Sequence, residues 1–161
     1  MVDLVSPATR SRWMSGIRGV DTQPERLIRQ HLRRAGLGYR LHGRGMPGTP
    51  DIVIRKFGVC IFVNGCFWHQ HDNCRYARVP ASDTARWRAK FASTRARDTQ
   101  QRALLLVAGW RVIDIWECGL KDVRHPDLDW LLDEIVHGTT EHVVWPAASP
   151  KPRWTPPSNG S

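Results

Sequence analysis

The segment "CFWHQHDNC", residues 66–74, places two thiols and two imidazoles within nine positions. Thiolate sulfur and imidazole nitrogen are the usual ligands of tetrahedral zinc. Cys66, His71 and Cys74 stand in the spacing Cys-x4-His-x2-Cys. A closed structural site needs a fourth ligand, and Cys118 is the candidate if the fold brings it near. The competing reading is unrelated buried thiols and surface histidines. Cys60 lies inside the apolar run "VCIFV" and reads as a core residue. Zinc-deaminase chemistry is excluded, because it needs His-x-Glu and Pro-Cys-x-x-Cys, and neither motif is present.

Other groups in the chain could also do chemistry. His69 falls outside the four-ligand set. It is either a surface or supporting histidine, or a general acid or base, since imidazole titrates near neutral pH. Asp51 follows the turn "PGTP" and opens a strand. It is either an Asx-type turn cap or a carboxylate for a divalent cation at a sheet edge. Phe67 and Trp68 sit among ligands and polar residues, which disfavours core packing for both rings.

These groups need elements to hold them. Helical spacing is predicted over 8–18, a basic segment with Trp13, Met14 and Ile17 on one side. A second helix runs from Thr22 to Gly36 with the apolar stripe Leu27, Ile28, Leu32 and Ala35. Thr22-x-x-Glu25 is a capping box at its start. Strands are predicted at "DIVIR" (51–55), "VCIFV" (59–63) and "WRVIDIW" (110–116), with an Arg-rich helix over 84–108 ended by Gly109 and a last helix over 127–137. The order strand, helix, strand from 59 to 116 is a β-α-β crossover. It makes the two strands parallel, with their C-terminal ends on one edge of the sheet. Cys66 and Cys118 then meet just beyond those ends, completing a Cys3His zinc set, and binding groups collect at such edges.

With 161 residues the chain suits one domain with a real core. We place that domain at 1–144 and a Pro-rich, disordered tail at 145–161. Lys and Arg total 24 against 15 Asp and Glu, a net charge of +9; without the tail's Lys151 and Arg153 it is 9 − 2 = +7. Such a balance points to a polyanionic partner, above all nucleic acid, or to an arginine-rich protein with no such partner. The N-terminus lacks an apolar stretch of signal-peptide type and no run is long enough to span a bilayer, so a cytoplasmic location with reduced thiols is expected.

Four segments carry a resemblance: "ATRSRWMSGIRGVDTQPE", "PGTPDIV", "IFVNGCFWHQH" and "GWRVIDIWEC". In this order and spacing they resemble the very short patch repair (Vsr) endonucleases over about residues 8–137. The resemblance implies an α/β fold with a restriction-endonuclease-like core, in which a mixed central sheet is flanked by helices, plus a structural zinc. The activity it implies is nicking of double-stranded DNA 5′ of the T in a T:G mismatch, the lesion left by deamination of 5-methylcytosine. It implies Asp51 as the Mg²⁺ carboxylate, with the backbone carbonyl of Val63 beside it. His69 becomes the catalytic histidine, Glu25 matches a family acid, and Cys66, His71, Cys74 and Cys118 match the zinc ligands, with one extra residue between His71 and Cys74. Asn64 stands where the best-known members carry a histidine that holds water of the metal site. An amide can hydrogen-bond that water but cannot take its proton.

Asp98 shares a helix face with Phe91 and Leu105. It is a further acid of the site or an ion-pair partner of a nearby Arg. The resemblance makes Phe67, Trp68 and Trp87 a wedge that senses weak stacking at a mismatch, with Met14 and Ile17 entering from the opposite groove and Arg10 and Arg12 on phosphates. For Trp87, Met14 and Ile17 ordinary core packing is the alternative. Implied partners are T:G-mismatched duplex, mismatch-repair proteins and a repair polymerase, with a functional link to a cytosine-5 DNA methyltransferase. A monomer without membrane association is expected. Two rival functions remain: a non-catalytic zinc-braced DNA-binding module, which Asn64 supports, and a restriction-type endonuclease acting on matched duplex.

Overall fold

The computed structural model describes residues 21–121 and 125–150. The chain runs α1 (Gln23–Arg34), β1 (Arg40–Leu41), β2 (Ile52–Ile54), a 3-10 turn (Arg55–Phe57), β3 (Val59–Asn64), α2 (Cys66–His69), α3 (Thr84–Val107), β4 (Arg111–Trp116), α4 (Cys118–Lys121), α5 (Asp129–His137) and β5 (His142–Trp145). The helix expected over 8–18, with Arg10, Arg12, Met14 and Ile17, lies outside the described residues, as does 151–161.

Among the described residues the strands form one sheet in the order β1-β2-β3-β4-β5. β1, β2 and β3 are antiparallel neighbours, and β3, β4 and β5 are parallel. The crossover through α3 therefore has the expected form, and the mixed sheet flanked by helices is the restriction-endonuclease-like arrangement. Alternation along β3 and β4 sorts side chains between the two faces. Val59, Ile61, Ile113 and Ile115 pack against Ile28 and Leu32 of α1 and Leu131 and Ile135 of α5. Cys60, Phe62 and Val112 pack against Leu105 of α3. Cys60 is a core thiol, and burial pushes its pKa up to about 12, so it stays protonated and inert.

Local chemistry sets the element ends. Thr22 caps α1: its hydroxyl accepts from the Glu25 N–H, while the Glu25 carboxylate reaches back to the Asp21 N–H at 2.9 Å. Gly109, at φ +87°, closes α3; its N–H donates to the Leu106 carbonyl and the Trp110 N–H to that of Leu105.

Five short elements were not part of the sequence-based expectation: β1, the 3-10 turn, α2, α4 and β5. β1 is only two residues long, too short to leave a period. Residues 66–69 form one helical turn. β5 runs through Trp145, so the sheet extends one residue into the segment read as a tail; its Trp145 ring stacks on Trp130 at 5.3 Å.

Candidate active site

β2 stops pairing with β3 at Ile52 and Ile61, and the next N–H along that side of β3, Val63, donates to the Asp51 carboxylate at 2.7 Å. The N–H and C=O of one strand residue face the same neighbour. The Val63 carbonyl therefore faces the edge that Asp51 occupies. Its successor alternates: the Asn64 carbonyl faces β4 and accepts from the Glu117 N–H at 3.0 Å. Asp51 thus lies beside a backbone oxygen that β2 leaves unclaimed. Burial raises the Asp51 carboxyl to about 6, against the Val63 hydrogen bond that lowers it; the nearby Glu25 charge raises it further, and His42 and Arg102 pull it back. A carboxylate held at such a cost suits a bound cation.

Asp51 lines a cleft of about 410 Å³ together with Val63, Asn64, His69, Asp98 and Arg102. His69 Nδ1 and Asp98 Oδ2 are 2.5 Å apart. The carboxylate fixes the imidazole through Nδ1, and among the described residues Nε2 is left without a hydrogen-bond partner. Both residues are partly buried, at 30% and 18% side-chain exposure. Gly48 borders the same cleft at φ +74°, where a Cβ would come within 3.0 Å of the Gln101 side chain. The turn before Asp51 therefore needs glycine for both conformation and space.

The register Asn64↔Trp116 puts Cys66 and Cys118 level, each two residues further on. Cys66, His71, Cys74 and Cys118 are all buried, and their ligand atoms lie within 4.8 Å of one another. His71 Nδ1 is 3.3 Å from Cys118 Sγ and 3.9 Å from Cys66 Sγ. Those values bracket the ~3.6 Å sulfur–nitrogen edge of a tetrahedron with zinc-type bond lengths, so the four residues fit a zinc ion. The Cys66 thiol is set to hydrogen-bond Cys118; this pushes the Cys66 pKa up and holds that of Cys118 down, with His71 adding to the latter effect. Trp116 stacks flat on the His71 ring at 4.3 Å, and Glu117 accepts from the Cys66 N–H at 3.0 Å.

The turn of α2 turns Phe67 and Trp68 away from this cluster. Phe67 meets Trp68, Trp87 and Phe91 edge-on, with centroids 5.0, 5.6 and 5.2 Å away. Phe91 is buried, whereas Phe67, Trp68 and Trp87 are half-buried at the surface, and the Lys90 ammonium lies over both Trp rings. The expected wedge rings are one aromatic cluster, anchored by Phe91. Exposed Arg86, Arg88, Arg95 and Arg97 follow along α3.

Comparison with known proteins decides the family. The family model described as DNA mismatch endonuclease Vsr matches residues 2–75. A type II nicking enzyme, V.XorIIP, of Xanthomonas oryzae pv. oryzae is 42% identical over 123 residues, covering 76% of this chain and 90% of that protein. The DNA mismatch endonuclease Vsr of Escherichia coli K12 is 38% identical, covering 75% of this chain and 77% of that protein. The type II nicking enzyme V.NmeAIP of Neisseria meningitidis is 36% identical, covering 76% and 86%.

The chain belongs to the Vsr family of DNA mismatch endonucleases. It is, as a Vsr protein, an endonuclease that acts on DNA. Among the described residues no helix is long and apolar enough to cross a membrane.

Asp51, Val63, Asn64, His69 and Asp98 of this Vsr chain come together in one cleft. Glu25 lies outside its lining; it is buried at the cap of α1 and reaches Asp51 through its charge. Sequence reasoning missed a buried network. Asp114 accepts from Asn64 Nδ2 at 2.7 Å, Arg102 Nη2 at 2.7 Å and His142 Nε2 at 2.7 Å. Burial alone would raise the Asp114 carboxyl, but the hydrogen bonds from His142, Arg102 and Asn64 outweigh it and hold the group at about 2. Arg102, one of the arginines that supply the charge of α3, is buried. Two signals could have found it. An acid inside "VIDIW" needs a partner, and Arg102 follows Asp98 by one helical turn.

Proposed function

We propose that the chain nicks double-stranded DNA on the 5′ side of the T in a T:G mismatch, with Mg²⁺ in the cleft and Zn²⁺ at the Cys3His cluster. The observation that carries this reading is the shared cleft: the Asp51 carboxylate and the Asp98-held His69 face one space beside a half-buried aromatic cluster. Asp51 and the Val63 carbonyl would hold Mg²⁺, which when bound neutralises charge developing on the scissile phosphate. His69 takes or gives a proton at Nε2, because Asp98 occupies Nδ1. Glu25 adds negative potential near Asp51 and sets the end of α1. The Asn64 Oδ1 has a second lone pair that can accept from water. Zinc at the cluster would join α2 to the end of β4 and so hold His69, Phe67 and Trp68 on one rigid turn.

Phe67, Trp68 and Trp87 would enter the stack at the mismatch, where unstacking costs least. Met14 and Ile17 are proposed to approach from the other groove, and Arg10, Arg12 and the α3 arginines to contact phosphates. We further propose a cytoplasmic monomer whose substrates arise where a cytosine-5 DNA methyltransferase acts, and whose nick is used by mismatch-repair proteins and a repair polymerase. The test is a strand-resolved nicking assay on T:G and fully paired duplexes with and without Mg²⁺. Cleavage confined to the T:G duplex supports the reading. Equal cleavage of paired duplex would favour a restriction-type enzyme.

A further inference from the structure

We infer that Arg102 and Asp114 are positioning residues of the cleft, acting through Asn64 and Phe62 on the metal-binding end of β3. The inference rests on the cation site proposed above, at Asp51 and Val63.

Chemistry forces the orientation of the Asn64 amide. Ionised Asp114 only accepts and Arg102 only donates. The Asn64 Nδ2 therefore faces Asp114 at 2.7 Å, and Oδ1 receives Arg102 Nη2 at 3.1 Å. The Arg102 guanidinium also lies 3.5 Å over the Phe62 ring. Phe62 and Asn64 flank Val63 in the chain, so a single side chain grips both neighbours of Val63. One is held by stacking and the other by a hydrogen bond. Val63 is the residue whose N–H holds Asp51 and whose carbonyl faces the same edge.

The grip is itself rigid. Arg102 donates to both Asp114 oxygens, and His142 on β5 takes up the remaining space on Oδ2 at 2.7 Å. Asn64, Arg102 and Asp114 are all buried. The network therefore ties α3, β3, β4 and β5 together at one point. Arg102 also stands one helical turn after Asp98, which holds His69. The same face of α3 thus sets both the acid–base histidine and the cation end of β3, and this fixes the spacing between them. Such supporting residues commonly set metal affinity by ~10–100-fold without touching the metal.

The experiment uses zinc-loaded full-length protein and Mn²⁺ as the probe, followed by calorimetry. Asp51→Ala identifies the part of the signal that belongs to the cleft. Arg102→Lys keeps the charge but loses the planar fork. Asn64→Ala leaves the Arg102–Asp114 pair intact, so it guards against a variant that fails to fold. Both should retain zinc and the wild-type circular dichroism, yet weaken Mn²⁺ at the cleft by about 10-fold or more. Nicking kcat should fall with KM for DNA unchanged. The double variant should be no weaker than the worse single variant, because the two act through one another. Wild-type Mn²⁺ affinity in both folded variants, or no Asp51-dependent Mn²⁺ signal in wild type, overturns the inference. Weakened Mn²⁺ binding in a protein that nicks no duplex supports the positioning role while refuting the nuclease reading.

Discussion

Asp51→Asn should abolish nicking and at the same time make the cation-free protein more stable. The folded Asp51 carboxyl sits at about 6 against an ordinary value of 3.8. Below pH 3.8 both folded and unfolded chains hold the proton, so the group costs nothing. Between 3.8 and 6 the unfolded chain releases the proton and the native chain keeps it, so stability falls as pH rises. Above 6 the loss is complete. At about 1.36 kcal/mol per pH unit the charged group costs the fold roughly 3 kcal/mol at most. Asn cannot ionise, and its amide oxygen can still accept the Val63 N–H that now reaches Asp51 Oδ2. In Mg²⁺-free buffer at pH 7.5 the variant should therefore melt higher, by up to ~6–12 °C for a chain of this size. The gain should shrink toward zero by pH 4. Mg²⁺ should raise the wild-type Tm and leave that of the variant unchanged, since binding to the native state alone stabilises it. Thermal melts of both proteins in the same chelator-free buffers across pH 4–8 give the measurement. A variant no more stable than wild type at pH 7.5, or a gain that persists unchanged at pH 4, refutes the reasoning.

Other outcomes can be checked in parallel. Elemental analysis should find about one zinc per chain, and Cys118→Ala should lose the metal and unfold or aggregate; soluble, active, zinc-free protein would contradict this. Trp68→Ala should keep the fold and zinc but weaken the preference for mismatched duplex; unchanged discrimination would remove Trp68 from the reader. Ending the chain after Pro150 should leave the melting curve and nicking nearly unchanged, whereas ending it after Val144 removes the Trp145–Trp130 stack and should cost on the order of 3 kcal/mol. Equal stability of the two truncations would show that Trp145 carries little of the packing.

The legible parts of the sequence were those with a strong local signature. "VCIFV" is continuously apolar and "WRVIDIW" largely so, and the 46 residues between them, 64–109, hold one helical pattern over 84–108 and leave room for one crossover. That crossover alone brought Cys118 to Cys66, which spacing could not do. Thr22 and Gly109 announced the ends of their helices through residue type. What stayed hidden was set by tertiary contact. β5 begins with His142, has four residues and adjoins a Pro-rich segment, so its strand character comes from pairing with β4. Arg102 reads as one more surface cation until Asp114, twelve residues away on β4, gives its charge a buried partner. The turn at 66–69 is helical because its rings pack on Trp87 and Phe91, a contact invisible in four residues of mixed propensity. The Asn64 position was visible as a departure from the family, but its partners were not.

The central claim is that Asp51 and His69 form one cleft that hydrolyses a phosphodiester beside a T:G mismatch. The most direct test is single-turnover nicking of an end-labelled T:G duplex in a suitable sequence context, with products resolved to the nucleotide. Zinc-loaded wild type should cut the T strand once, 5′ to the mismatched T, only with Mg²⁺ present. Asp51→Ala should bind the duplex without cutting it. His69→Ala should cut at the same bond ~10²–10⁴-fold more slowly, the usual size of a general acid–base contribution. Cleavage by Asp51→Ala at the wild-type rate, or binding of T:G duplex by wild type with no cut in any context, would contradict the account.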